Sequence, residues 1–117
     1  MELETRRVGD SIVVSPRGRV DHVTADAFSA ALATHVAQCA SGGPAIVLDM
    51  SGVDYISSVG LRALMVAAKQ VKAQSGRIVI AALTPMVREV FQISRFHLVF
   101  ALFDEVDAAL ESLQKPA

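Results

Sequence analysis

The sequence predicts an α/β domain: a small mixed sheet, antiparallel at its N-terminal edge and otherwise mainly parallel, flanked by about four helices. Three observations predict it. Short apolar runs recur at residues 12–14, 45–50 and 77–83, and near-continuous runs of this kind mark strands covered on both faces. Between them the apolar residues switch to a helical period, as in Phe28, Leu32, Val36 and Cys39. Strands that alternate with helices along a chain become parallel neighbours joined by right-handed crossovers.

Each element has its own signal. Residues 2–8 alternate loosely, Gly9-Asp10 is a turn signal, and Ile12, Val13 and Val14 form a β-branched run, so the two segments make a hairpin. Pro16 lacks an amide N–H and restricts how this strand pairs in mid-sheet. Residues 18–21, Gly-Arg-Val-Asp, close the strand. Thr24 is expected to cap the first helix, which Ser41-Gly42-Gly43-Pro44 ends. A buried strand over 45–50 follows. The second helix covers about 58–74, with Leu61, Leu64, Met65, Ala68 and Val71 as its buried stripe and Arg62, Lys69 and Lys72 off it. Ser75-Gly76 stops it, and residues 77–83 form another buried strand. Thr84-Pro85 opens a short helix through Met86, Val87, Val90 and Phe91. Residues 98–103 are expected to be the last strand. Asp104 should then cap a final helix with Val106, Ala109, Leu110 and Leu113 inward.

With 117 residues, the whole of 1–117 is expected to form one domain with one substantial core. The formal net charge of −1 and a pI near 6.3 leave no basic stripe for nucleic acid, so no direct nucleic-acid contact is expected. No apolar run approaches the roughly 18 residues that span a bilayer, so no membrane insertion is expected. The start, Met1-Glu2-Leu3-Glu4, shows no signal-peptide pattern. The single Cys39 cannot close an internal disulfide, which fits a reducing compartment. A cytoplasmic location is expected.

The usual active-site constellations are missing from the sequence. His22, His35 and His97 share no metal-ligand spacing, and Cys39 has no cysteine partner, so no metal site is expected. The glycines match neither a dinucleotide fingerprint nor a phosphate loop. Ser58-Val59-Gly60 resembles half of a nucleophile elbow, but Ile56 stands where that motif needs glycine. Asp49 and Asp54 bracket a strand end, where turn chemistry explains aspartates more simply than an acid/base pair does. No catalytic residue, cofactor or enzymatic activity is expected.

The chemistry that remains lies in residues 47–61, V-L-D-M-S-G-V-D-Y-I-S-S-V-G-L. A strand breaks at Ser51-Gly52 and leads through two serines into a helix N-terminus, whose free N–H groups and partial positive charge favour anions. Ser58 is well placed to cap that helix.

Three segments, G-R-V-D at 18–21, D-M-S-G-V-D-Y-I-S-S-V-G-L-R at 49–62 and S-G-R-I-V-I-A-A-L-T-P-M-V at 75–87, together resemble the STAS domain family, of the anti-sigma factor antagonist type. The name abbreviates sulphate transporter and anti-sigma factor antagonist. The match runs nearly the whole chain, in order; no one segment is specific alone. Asp21-His22, followed by Thr24-Ala25, also resembles a loop of the sporulation anti-sigma factor antagonists. The resemblance implies a STAS-like fold and a binding module without catalysis. It would bind a serine-kinase-like anti-sigma factor in partner-switching control of transcription. In the family the kinase phosphorylates a Ser or Thr at the start of the second helix, which abolishes binding, and a phosphatase restores it.

This sequence departs from that pattern at the switch. Aligned on Gly60 and Leu61, the family's phosphoacceptor position is Val59, which cannot accept phosphate, and the preceding Asp position is Ser57. Ser58, or Ser57, could take the phosphate instead. The domain could also be a constitutive antagonist, or a STAS subunit of another assembly such as an ABC transporter ATPase or a signalling complex. The implied partner-binding set is Asp21, His22, Asp54, Ser57, Ser58, Val59, Gly60 and Arg62. Simple turn chemistry would also account for Asp21 and His22, and a solubilising charge for Arg62.

Overall fold

Alternate residues of the central strands feed two separate apolar layers, as the pleat requires. The computed structural model describes residues 2–114. Its strands are β1 (Glu2–Val8), β2 (Ser11–Val20), β3 (Ala45–Asp49), β4 (Val53–Ile56), β5 (Ile78–Ala81) and β6 (Leu102–Phe103). The helices are α1 (Ala25–Gln38), α2 (Ser58–Ala73), α3 (Pro85–Ile93) and α4 (Val106–Gln114), with a 3-10 turn at Phe96–Leu98. Val14, Ile46, Leu48 and Ile80 pack with α1, α2 and α3 on one face, around Phe28, Leu32, Leu64 and Phe91. Val13, Val47, Val79 and Ala81 pack on the other face under Ala109 and Leu110 of α4.

The strand order is β1-β2-β3-β5-β6, with β4 on β2. Among the described strands β1–β2 is antiparallel and the β2–β3, β2–β4, β3–β5 and β5–β6 pairs are parallel. The mixed α/β architecture expected from the sequence is therefore present. Along β2, Ser11 to Val14 pair with β3 and Gly18 to Val20 pair with β4. Pro16 falls between the two ladders, where a missing N–H costs no parallel bond.

Three details differ from expectation. Residues 53–56 form β4, a strand where the sequence predicted none between the break at Ser51-Gly52 and the start of the second helix. Four residues are too few for a periodic signal, and an aspartate inside them reads as a turn. The expected strand over 98–103 shrinks to Leu102–Phe103. Phe96 and Phe100 are both buried against the α1–α3 layer, and the Phe96 ring meets Phe91 edge-on at 5.6 Å and Phe100 at 6.2 Å. In a strand, residues four apart share a face but stand about 13 Å from each other, so rings at 6.2 Å require the backbone to coil there despite its β propensity. The final helix begins at Val106 and the N–H of Ala109 bonds the Glu105 carbonyl. Asp104 lies one residue outside the cap position, and its carboxylate pairs with Arg88 at 3.0 Å.

The far end of α2 is locked to the end of α1. The Gly76 N–H donates to the Val71 carbonyl and the Ser75 N–H to that of Lys72, with Ser75 left-handed at φ 59°. This is the double hydrogen bond of a Schellman stop. Gln74 Nε2 donates to the Val36 and Cys39 carbonyls at 2.8 and 2.9 Å; Val36 also accepts the Cys39 N–H, and the Cys39 carbonyl just past α1 gains a partner. Gly76 itself sits against the Cys39 backbone, where a Cβ would collide with the carbonyl. The Gly76→Ala variant should lose about 1–3 kcal/mol of stability, the usual range for overpacking, read as a lowered urea midpoint at unchanged slope. An unchanged midpoint would show that this junction is looser than the packing implies.

Candidate functional site

The start of α2 is built from one strand end and one cap. β4 pairs with β2 so that Ile56 lies beside Val20, and the Ser57 N–H extends the ladder by donating to the Val20 carbonyl at 2.8 Å. Ser57 keeps an extended backbone (φ −91°, ψ 174°), and its Oγ accepts from the Gly60 N–H at 3.3 Å. That is the N-cap arrangement. Ser57 therefore caps α2, not Ser58 as the sequence suggested; in a Ser-Ser pair the position is fixed by which residue still belongs to the strand. Ser58 becomes the first helical residue, exposed, and its hydroxyl makes no hydrogen bond among the described residues.

Gly60 is required by contact. A Cβ there would stand 2.7 Å from Val20 Cγ1 and 2.8 Å from Ile56 Cγ1. The first turn of α2 therefore lies directly on the ends of β2 and β4. Val59, the second helical residue, points outward and is 45% exposed. Arg62 follows on the exposed side and makes no ion pair among the described residues.

Asp21 and His22 sit in the turn that follows Val20, next to Ser57 through the Val20 carbonyl. The Asp21 carboxylate accepts from the Val23 N–H at 3.0 Å and the Thr24 N–H at 3.2 Å, with the Thr24 hydroxyl oxygen 3.3 Å away. The Val23 bond is the largest cause holding its pKa below the ordinary 3.8; partial desolvation opposes it, and the Thr24 bonds and the nearby His22 add to the lowering. Arg19 lies 3.6 Å from the same carboxylate and stacks 4.3 Å from the Tyr55 ring centre. Thr24 occupies the cap position of α1 without capping through its side chain. Its hydroxyl instead donates to the Arg19 carbonyl at 2.7 Å and accepts from the Asp21 N–H. Asp21 thus has a structural task in this turn. His22 is exposed, and Asp54 is exposed on β4 without an ion-pair partner among the described residues.

Asp49 belongs to the backbone rather than to an acid/base pair: Ser15 Oγ and the Ser51 N–H both donate to it, each at 3.1 Å. Among the described residues no three His, Cys, Asp or Glu side chains converge as metal ligands. No described helix is long and apolar enough to cross a membrane. The site's character is instead apolar and exposed. Beyond Val59, the structure exposes Val23 by 75% in the Asp21 turn and Val66 by 56% two turns along α2. Sequence reasoning missed both. Val66 falls out of register with the buried stripe of α2, and Val23 is a β-branched residue in an otherwise polar turn; those were the available signals.

An exposed helix start set on the C-terminal ends of the strands of a small mixed sheet is the arrangement of STAS domains, and the STAS domain profile matches residues 2–109. The chain belongs to the STAS domain family. Among its relatives, BtrV of Bordetella bronchiseptica, a candidate anti-sigma factor antagonist, is 37% identical over 109 residues, 93% of this chain and 91% of that one. An anti-sigma factor antagonist from Mycobacterium paratuberculosis superposes with a TM-score of 0.86 at 28% identity, covering 97% of this chain and 94% of that one. The antagonist SpoIIAA of Bacillus, in its unphosphorylated form, shares the fold with a TM-score of 0.71 at 18% identity, over 98% of this chain and 100% of that one.

Two measurements test the local geometry. Ser57→Ala should cost about 1 kcal/mol through loss of the cap, while Ser58→Ala should leave the denaturation midpoint unchanged; the reverse order would return the cap to Ser58. Asp21 has a lowered folded pKa, so its charge contributes stability above the ordinary 3.8 and loses it as pH falls through the folded value. The stability difference between wild type and Asp21→Asn should be full near neutral pH and shrink below 3.8; a difference constant down to acid pH would mean that the turn does not depend on the charge.

Proposed function

We propose that this domain is an anti-sigma factor antagonist that acts by docking alone, without a catalytic step, on a serine-kinase-like anti-sigma factor in the cytoplasm. The docking face comprises the Asp21–His22 turn with Val23, the start of α2 at Ser57, Ser58, Val59 and Gly60, and the outer side of that helix through Arg62 and Val66. Asp54 lies on its rim. The observation that carries this reading is Val59, an apolar side chain 45% exposed at a helix start, with Val23 and Val66 exposed beside the same elements. Exposed apolar groups ringed by polar ones mark protein contacts. The antagonists among its relatives support the kind of partner.

The regulation follows from the same geometry. Val59 occupies the family's phosphoacceptor position and carries no hydroxyl. Ser57 is engaged in the cap, which leaves Ser58 as the free hydroxyl at the helix start, about 100° round the helix from Val59. A phosphate there would bring about −1.5 to −2 charges onto the docking face. The nearby N–H groups of α2 would tolerate it, so the fold would persist while docking against an apolar surface would be lost. A phosphatase would reverse the change.

Val59→Asp should weaken binding to a purified serine-kinase-like anti-sigma factor at least tenfold, with the denaturation midpoint unchanged, measured by calorimetric titration. Undiminished binding would remove Val59 from the interface. With that kinase and ATP, mass spectrometry should locate phosphate on Ser58 and none on Ser58→Ala. If wild type stays unmodified while Val59→Ser is phosphorylated, the domain is a constitutive antagonist. Recovery of a transporter ATPase in place of an anti-sigma factor, in pull-downs from native lysate, would overturn the assignment of partner.

A further inference from the structure

A second surface lies at the opposite end of α2, independent of the docking face. A groove of about 670 Å³ runs between α2 and the segment before β6. Its apolar wall includes Met65, Ala68, Ile78, Leu98, Val99 and Phe100. Leu98 is 70% exposed and Val99 is exposed beside it. The cause is the aromatic anchor described above. Phe96 and Phe100 face the core, so the residues between them are turned outward. The same coiling delays the start of β6: β5 pairs with it only at Ile80 and Ala81, leaving the edge of Ile78 open to the groove.

The groove is polarised along its length. Met65 and Ala68 lie toward the middle of α2, whereas Lys69, Lys72, Ser75 and Arg77 gather around its C-terminal end. Among the described residues no carboxylate lines it. Arg77 is drawn to the carbonyls of Ser112 and Leu113 at 3.3 and 3.4 Å. Lys69 and Lys72 form no ion pair among the described residues. The C-terminus of α2 supplies roughly half a negative charge, which two lysines exceed, so the polar end is net cationic. A concave apolar wall of this size, with a few convergent polar groups at one end, is the form of a small-molecule site.

We propose that this groove binds a single-chain amphipathic carboxylate of the fatty-acid class, its chain against Met65, Ala68, Ile78 and Val99 and its carboxylate at Lys69 and Lys72. Charge complementarity selects an anion, and the apolar wall of Met65, Ala68, Ile78 and Val99 alongside the lysines selects an alkyl chain over a small polar anion. This proposal does not depend on the anti-sigma factor reading.

The test is titration of the isotope-labelled protein with octanoate, decanoate and laurate below their micelle concentrations, followed by amide chemical shifts. Saturable shifts should centre on Ala68, Lys72, Ile78 and Val99, and affinity should rise about three- to fourfold per added methylene while the chain stays within the groove. Lys69→Glu/Lys72→Glu should weaken laurate at least tenfold and leave dodecanol unaffected. Val99→Asp, on an exposed side chain that should not disturb folding, should weaken laurate and dodecanol alike. Absence of saturable shifts, shifts centred elsewhere, no dependence on chain length, or equal laurate affinity in the double lysine variant would each overturn it.

Discussion

The contact between the first turn of α2 and the ends of β2 and β4 governs what this molecule can present to a partner. The Ser57 N–H is held by the Val20 carbonyl at 2.8 Å, and Gly60 lets the helix axis approach until a Cβ would overlap Val20 and Ile56. A helix entered this way has little freedom in its phase. Gly60 is fixed inward, so Val59 and Ser58 are fixed outward. The same strand end launches the Asp21 turn, which its carboxylate ties to Val23 and Thr24. Two loops that are distant in sequence thus meet as one surface because both grow from neighbouring residues of a single parallel ladder.

The opposite end of α2 is held just as firmly by different means. Its stop signal, the Gln74 bonds to the last carbonyls of α1 and the fit of Gly76 against Cys39 join the two helices where the docking face is absent. Burial raises the pKa of the Cys39 thiol, against the lowering effect of the Arg77 and Ile46 backbone. The thiol donates to the Arg77 carbonyl at 3.1 Å, which suits a small packing group rather than a reactive one. With both ends of α2 restrained, modification at its start changes surface chemistry more readily than it changes the fold. A binding switch of the kind proposed here needs that property.

The fold class was legible because its signals are long or strongly periodic. The buried runs at β2, β3 and β5, the stripe of α2 and the Gly and Pro stops each repeat a pattern that one residue cannot obscure. What escaped the sequence was set by tertiary contact. β4 has four residues and is a strand because β2 continues past Pro16 and offers a free edge. The segment before β6 has strand propensity, yet two buried phenylalanines require it to coil. The cap of α2 moved from Ser58 to Ser57 because a hydrogen bond from across the sheet defines where the strand ends. At the candidate site, the segments carrying Asp21 and Ser57 to Gly60 were recognisable as a set. Val23 and Val66 were not, since exposure of a valine is decided by the packing of its neighbours.

The central claim concerns which surface meets the partner, and amide chemical-shift mapping of the labelled domain during titration with a purified serine-kinase-like anti-sigma factor addresses it most directly. Docking as described requires the largest perturbations at Val23, Ser58, Val59, Arg62 and Val66, with α4 and the groove beside Val99 left quiet. Perturbations confined to α4 or to the groove, with the start of α2 unchanged, would contradict it.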